Sequence, residues 1–161
     1  MRIALYQPDI AGNVGTILRT AACFGIGCDI IEPCGFPLGD RTLKRAALDY
    51  GAHAQIVRHA DWPAFLDSMR PGQRLVLLTN RGETTLSDAI FRADDIILMG
   101  SETAGVPSHV HDRADVRARI AMQPGFRSIN VAVAAGIAMA EALRQTGGLP
   151  SASSPLTKEA P

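Results

Sequence analysis

The stretch Asp95-Ile96-Ile97-Leu98-Met99-Gly100-Ser101-Glu102 sets four apolar residues in a row between an acidic residue and a glycine turn. A strand wetted on one side alternates apolar with polar side chains. An unbroken run instead marks a strand covered on both faces, the habit of parallel sheets. Arg74-Leu75-Val76-Leu77-Leu78-Thr79 repeats the pattern upstream.

Working outward, Arg2–Tyr6, Cys28–Glu32 and Ala54–Arg58 read as further strands, with a weaker candidate from Val116 to Met122. Between them lie helical patterns. One runs from about Asn13, as N-cap, to Phe24, where Gly25 marks the helix end. A second covers about Asp40 to Leu48. A third opens at Asp61 with Pro63 in its first turn, where proline is tolerated. A long Ala-rich helix runs from a Ser128 cap to about Gln145. Alternating strand and helix predicts an α/β fold, a mainly parallel sheet flanked by helices. One domain is expected over residues 1–146. The Gly-, Pro- and Ser-rich residues 147–161 read as a disordered tail.

The 161 residues are 47% apolar and 20% charged, an ordinary globular balance. Lys and Arg equal Asp and Glu in number, so any nucleic-acid binding must come from a local patch. Arg41, Lys44, Arg45, Arg58, Arg81 and Arg127 are the candidates. Met1-Arg2 leads straight into a strand, and no apolar run nears the roughly 20 residues of a membrane span, so a cytoplasmic protein is expected. The three cysteines lack C-x-x-C spacing and read as reduced, mostly buried thiols.

Several stretches could carry chemistry. In Gly12-Asn13-Val14-Gly15-Thr16-Ile17-Leu18-Arg19, helical spacing puts Val14, Ile17 and Leu18 on one face and Arg19 nearly opposite. Arg19 is therefore either a solvated surface residue or a guanidinium presented to a cleft. Gly100-Ser101-Glu102-Thr103-Ala104-Gly105 follows a buried strand, at the end where open α/β sheets bind ligands. Leu78-Thr79-Asn80-Arg81-Gly82 stands at a similar place. The loop from Ile120 and Met122 to Ser128 leads into the last helix, with Asn130 in its first turn, where free amides meet anions or sugars. Gly25-Ile26-Gly27 follows a helix rather than a strand, so it is not a dinucleotide fingerprint. His109-x-His111 beside Asp112 lacks a third ligand, and no metal site is expected.

Taken together, Asn13-x-Gly15-x-x-x-Arg19, Gly100-Ser101-Glu102-Thr103-x-Gly105, and Ile120-x-Met122 with Arg127-Ser128-x-Asn130 resemble the three motifs of the SPOUT class of RNA methyltransferases. Ile30-Ile31-Glu32-Pro33-x-Gly35-Phe36 and Arg45-Ala46-x-Leu48-Asp49-Tyr50 are similar to the branch that methylates the 2′-oxygen of the tRNA wobble nucleotide, cytidine or uridine 34. The match covers residues 2–145. It implies a deep C-terminal trefoil knot, a homodimer, and the anticodon stem-loop of tRNA as partner. It also implies S-adenosylmethionine bound by Leu78, Gly100, Ile120 and Ser128, with Thr79, Glu102, Gly105 and Met122 close by. Arg19, Asn13, Ser128 and Asn130 would be the catalytic set, Arg19 facing the ribose. Where the family has proline after its isoleucine, this chain has Ala121, which implies a less rigid loop.

A guanidinium stays protonated in proteins, which favours electrostatic stabilisation of a developing alkoxide over proton abstraction; desolvation beside a sulfonium keeps the base role open. A SPOUT enzyme acting at another RNA site and a non-catalytic nucleotide-binding module are the alternative readings.

Overall fold

The computed structural model describes residues 1–39 and 55–151. The apolar runs form one sheet of seven parallel strands: β1 (Arg2–Tyr6), β2 (Gly27–Ile31), β3 (Ile56–His59), β4 (Leu75–Leu78), β5 (Thr84–Thr85), β6 (Ile96–Met99) and β7 (Val116–Arg119). Their order is β3-β2-β1-β6-β4-β7-β5. β6 is central, and its four residues are all buried. Leu5 and Leu78 both pair with Met99, so β1, β6 and β4 end in one row.

Alternate side chains feed two cores. Ile3, Leu5, Val76, Ile97 and Met99 meet α1 (Ala11–Cys23) and α4 (Val131–Thr146) on one face. Ala4, Tyr6, Leu75, Leu77 and Leu98 meet α2 (Trp62–Ser68) and α3 (Ser108–Arg113) on the other. Fully burying a Leu or Ile contributes about 1.5–3 kcal/mol, and both faces of the central strands collect it.

The connection after β1 runs through α1 outward to β2. The connection after β6 runs through α3 the opposite way, to β7. The two helices leave adjacent strands for opposite faces. A crevice therefore opens between their N-terminal loops, the topological switch point of a doubly wound sheet.

Local signals explain several boundaries. Asp61 caps α2 by accepting from Ala64 N–H at 2.8 Å, with Pro63 in the first turn. Gly25 (φ 68°) lies just past α1, and Gly147 (φ 69°) closes α4. The Ala-rich face of α4 lets α1 pack closely, with Ala132, Ala135, Ala138 and Ala142 buried. At its far end Gln145 donates to Ala89 O (2.9 Å) and accepts from Phe91 N–H (3.0 Å).

Three expectations are corrected. α1 begins at Ala11, with Ile10 at the cap position, because the Asn13 side chain is used elsewhere. α4 begins at Val131 and is capped by Asn130 rather than Ser128. The Asn130 side chain accepts from Ala132 N–H (2.8 Å) and Val133 N–H (3.3 Å), which Ser128, three residues before the helix, does not. Of the cysteines, Cys28 is buried, Cys34 partly so and Cys23 exposed, all with free thiols. Arg58, a candidate for a basic patch, pairs with Glu32 at 2.9 Å and stays partly exposed. The helix expected at 40–48, with Arg41, Lys44 and Arg45, lies outside the described residues, as do the last ten residues of the chain.

Candidate active site

At the switch point, Gln7 takes a left-handed backbone (φ 44°) immediately after β1 and turns Asp9 across the end of β6. From β6 the chain enters a closed loop: Ser101 and Gly105 exchange both backbone hydrogen bonds, at 3.0 and 2.9 Å. A Cβ on Gly100 would stand 2.7 Å from the Gly105 carbonyl carbon, and Gly105 itself has φ 67°. The loop closes only with glycine at these positions.

The loop projects Glu102 onto two donors. Its Oε2 accepts from Asp9 N–H at 2.7 Å, and its Oε1 from Asn13 Nδ2 at 2.8 Å. Asn13 Oδ1 in turn accepts from Asn130 Nδ2 at 3.0 Å. A three-residue relay thus ties the β6 loop, the first turn of α1 and the cap of α4. Asp9 returns the contact, accepting from the Thr103 hydroxyl (2.5 Å) and backbone N–H (3.1 Å). These bonds, the hydroxyl foremost, hold the Asp9 carboxyl below its usual range. Both Glu102 oxygens are engaged, so the residue acts as a latch rather than as a proton acceptor.

The relay borders a cavity of about 570 Å³, a size suited to a small-molecule ligand. Leu78, Thr79, Gly100, Glu102, Gly105, Ile120, Met122, Ser128, Asn13 and Asn130 all line it. Strand ends contribute Leu77, Leu78 and Met99, an apolar floor, while Asn13, Ser101 and Thr103 make a polar rim. Arg119 donates to Gly82 O (2.6 Å) and Glu83 O (3.0 Å), fixing the loop that carries Thr79 and Arg81 into the wall.

Arg19 is placed differently. It is exposed on the outer side of α1 and is not part of the cavity wall. Asp9 and His111 belong to the site but not to the residues expected from sequence. Asp9 carried no sequence signal of its own, since only the strand order sets the end of β1 beside β6. His111 stood only in a histidine pair that did not make a metal site. Among the described residues, no group of three or more His, Cys, Asp or Glu is placed to hold a metal ion. No described helix is long and apolar enough to cross a membrane.

Residues 1–140 match the model of the SpoU rRNA methylase family. The chain is 50% identical over 148 residues to a tRNA (cytidine(34)-2'-O)-methyltransferase of Beijerinckia indica subsp. indica, covering 91% of this chain and 92% of that one. A solved structure concerned with 2-OH methylation of C/U34 on tRNA superposes with a TM-score of 0.85 at 42% identity, over 89% of this chain and 94% of the other. An AdoMet-bound rRNA methyltransferase from Sinorhizobium meliloti superposes with a TM-score of 0.78 at 30% identity, over 89% of this chain and 55% of its own.

Proposed function

The chain belongs to the SpoU rRNA methylase family, and from that premise we propose that it methylates the ribose 2′-oxygen of nucleotide 34, cytidine or uridine, in the anticodon loop of tRNA. One observation carries the reading: the Glu102–Asn13–Asn130 relay joins all three motifs at the rim of a ligand-sized cavity. The relatives matched over nine-tenths of the chain are tRNA (cytidine(34)-2'-O)-methyltransferases.

The cavity fits S-adenosylmethionine. Its lining sets apolar Leu77, Leu78 and Met99 beside polar Asn13, Ser101 and Thr103, a mix suited to a purine with a charged tail. Leu78, Gly100, Ile120 and Ser128 would hold the cofactor, with Thr79, Gly105 and Met122 beside them and Glu102 keeping the loop closed. When bound, S-adenosylmethionine supplies a methyl group on a sulfonium, an electrophile for an oxygen nucleophile.

The rest of the reaction falls to the protein. The ribose hydroxyl must be aligned, and its proton must leave as negative charge builds on the oxygen. Asn13 and Asn130 each retain an amide hydrogen beyond the relay and would orient the nucleotide, together with the Ser128 hydroxyl. Arg19 would steady the developing oxyanion and the adjacent phosphate, the role for which a permanent cation is suited. Arg81 and Arg127, both exposed, would engage further phosphates; each such contact adds to the salt dependence of RNA binding.

Because Arg19 lies outside the cavity wall, its catalytic role fits a homodimer in which α1 of one protomer meets the cavity rim of the other. Exposed Val133 and Ile137 on α4, one turn apart beside α1, support such an interface. The deep knot would pass α4 through a loop, an arrangement supported by Gln145 bonding both Ala89 and Phe91 ahead of β6. A cytoplasmic location follows from a tRNA substrate.

The test is to incubate the protein with unmodified tRNA and S-adenosylmethionine, then map the methylated nucleotide by nuclease digestion and mass spectrometry. A single 2′-O-methyl group at position 34 is expected. Methylation elsewhere would reassign the RNA site, and none with bound cofactor would favour a non-catalytic module.

A further inference from the structure

Among the described residues, Phe126 is the one Phe, Tyr or Trp that is exposed, with 73% of its surface open to water. Tyr6, Trp62, Phe65 and Phe91 are buried, and Phe24 and Phe36 pack against the core. The backbone holds Phe126 in place. Gln123 O accepts from Phe126 N–H at 3.3 Å, across Pro124 and a Gly125 with φ 95°, the pattern of a type II turn. The chain then runs through Arg127 into Ser128, Ile129 and Asn130, which line the cavity. Two residues span about 7 Å at most, so Phe126 stands beside the cavity mouth.

A single exposed apolar side chain is ordinary on a protein surface. Phe126 is set apart by its company. Arg127 follows it and is exposed as well. An open ring next to a guanidinium suits single-stranded nucleic acid: the ring takes the face of a base, the cation a phosphate. A second copy of the chain is better met by α4, where exposed Val133 and Ile137 have no charged residue between them.

The reaction calls for such a surface. A base in an RNA loop stacks on its neighbours, and drawing its ribose into the cavity mouth pulls it from that stack. A ring at the mouth restores the lost stacking. Because a ring face does not read base edges, it serves cytidine and uridine alike.

We propose that Phe126 stacks on the base of the nucleotide being methylated, nucleotide 34, while Arg127 holds a flanking phosphate. The contact rests on the reading of this chain as the 2′-O-methyltransferase of that nucleotide.

The test crosses protein variants with an RNA variant on the full-length chain. tRNA is assembled by ligation with either cytidine or an abasic ribose at position 34. Its affinity is measured by fluorescence anisotropy in the presence of S-adenosylhomocysteine. Phe126→Ala should weaken binding of the cytidine tRNA about tenfold or more and leave that of the abasic tRNA unchanged. Phe126→Tyr, which keeps the ring, should recover most of the loss, and Phe126→Leu little of it. Equal affinity of wild type and Phe126→Ala for the cytidine tRNA would overturn the inference. An equal loss with both RNAs would do so too. So would a loss accompanied by weaker S-adenosylhomocysteine binding or by a smaller sedimenting species, which would assign Phe126 to the cofactor site or to a subunit interface. Wild-type methylation at a nucleotide other than 34 would overturn the reading of nucleotide 34 itself, and this inference with it.

Discussion

The amide of Asn13 is held between two partners: Nδ2 donates to Glu102 at 2.8 Å, and Oδ1 accepts from Asn130 at 3.0 Å. This orientation leaves no freedom to flip, since rotation would set oxygen against carboxylate and nitrogen against nitrogen. Glu102→Gln should therefore be harmful despite its shape. One of the two donors, Asp9 N–H or Asn13 Nδ2, must then face an amide nitrogen. A loss of about 1–3 kcal/mol in unfolding free energy is expected, with weaker S-adenosylhomocysteine binding. A double-mutant cycle with Asn13→Ala should show coupling; additive effects would contradict the relay.

Asn130 has two duties that substitution can separate. Asn130→Ala removes the cap of α4 and the bond to Asn13, and should cost about 1 kcal/mol in denaturant unfolding besides activity. Asn130→Ser keeps a capping oxygen but does not reproduce the bond to Asn13. Its stability should stay near wild type while methyl transfer falls.

Gly100→Ala should be among the most damaging single changes, because the added methyl meets Gly105 backbone at 2.7 Å. The Ser101–Gly105 loop cannot stay closed around it. Calorimetry should show cofactor binding reduced below detection, with a stability loss of about 1–3 kcal/mol.

Arg19 is exposed, so Arg19→Ala should leave Tm and cofactor affinity nearly unchanged. Single-turnover methylation of tRNA should nevertheless slow by about 10²–10³, the scale for removing one oxyanion donor. Lost cofactor affinity would instead assign Arg19 a structural role.

The Asp9–Thr103 contact predicts a pH response. Hydrogen bonds from Thr103 depress the Asp9 carboxyl in the folded state, so the contact stabilises above the ordinary aspartate range. That stability is lost as pH falls through the depressed value. Thr103→Val should lower Tm at neutral pH, and the gap from wild type should close in acid. A gap independent of pH would show that the hydroxyl acts through packing alone.

Much of this was legible in the residues. Unbroken apolar runs foretold buried parallel strands, and Asp61 and Gly25 foretold helix ends, because each signal is local. The face pattern of α1 also placed Arg19 away from the core. The cap of α4 was not readable: Ser128 and Asn130 are both good capping residues, and only the position of Asn13 across the cleft selects the second. For the same reason Asn13, a natural cap by type, sits inside the helix while Glu102 holds its side chain. Two-residue β5 and six-residue α3 are too short for periodicity to register. The positions of Asp9 and His111 depend on strand order, which spacing along the chain does not encode.

α4 is clamped at both ends, by Asn130 to Asn13 and by Gln145 to Ala89 and Phe91. A 16-residue helix is about 24 Å long, so the helix acts as a beam whose far support lies well away from the cavity. Glu141 and Arg144, on the outside of that far support, help set Gln145 through the 2.8 Å Glu141–Gln145 bond. Slack introduced there is transmitted along the beam to Asn130, so a carboxylate about 16 Å along the helix from that cap becomes a tuning point for catalysis.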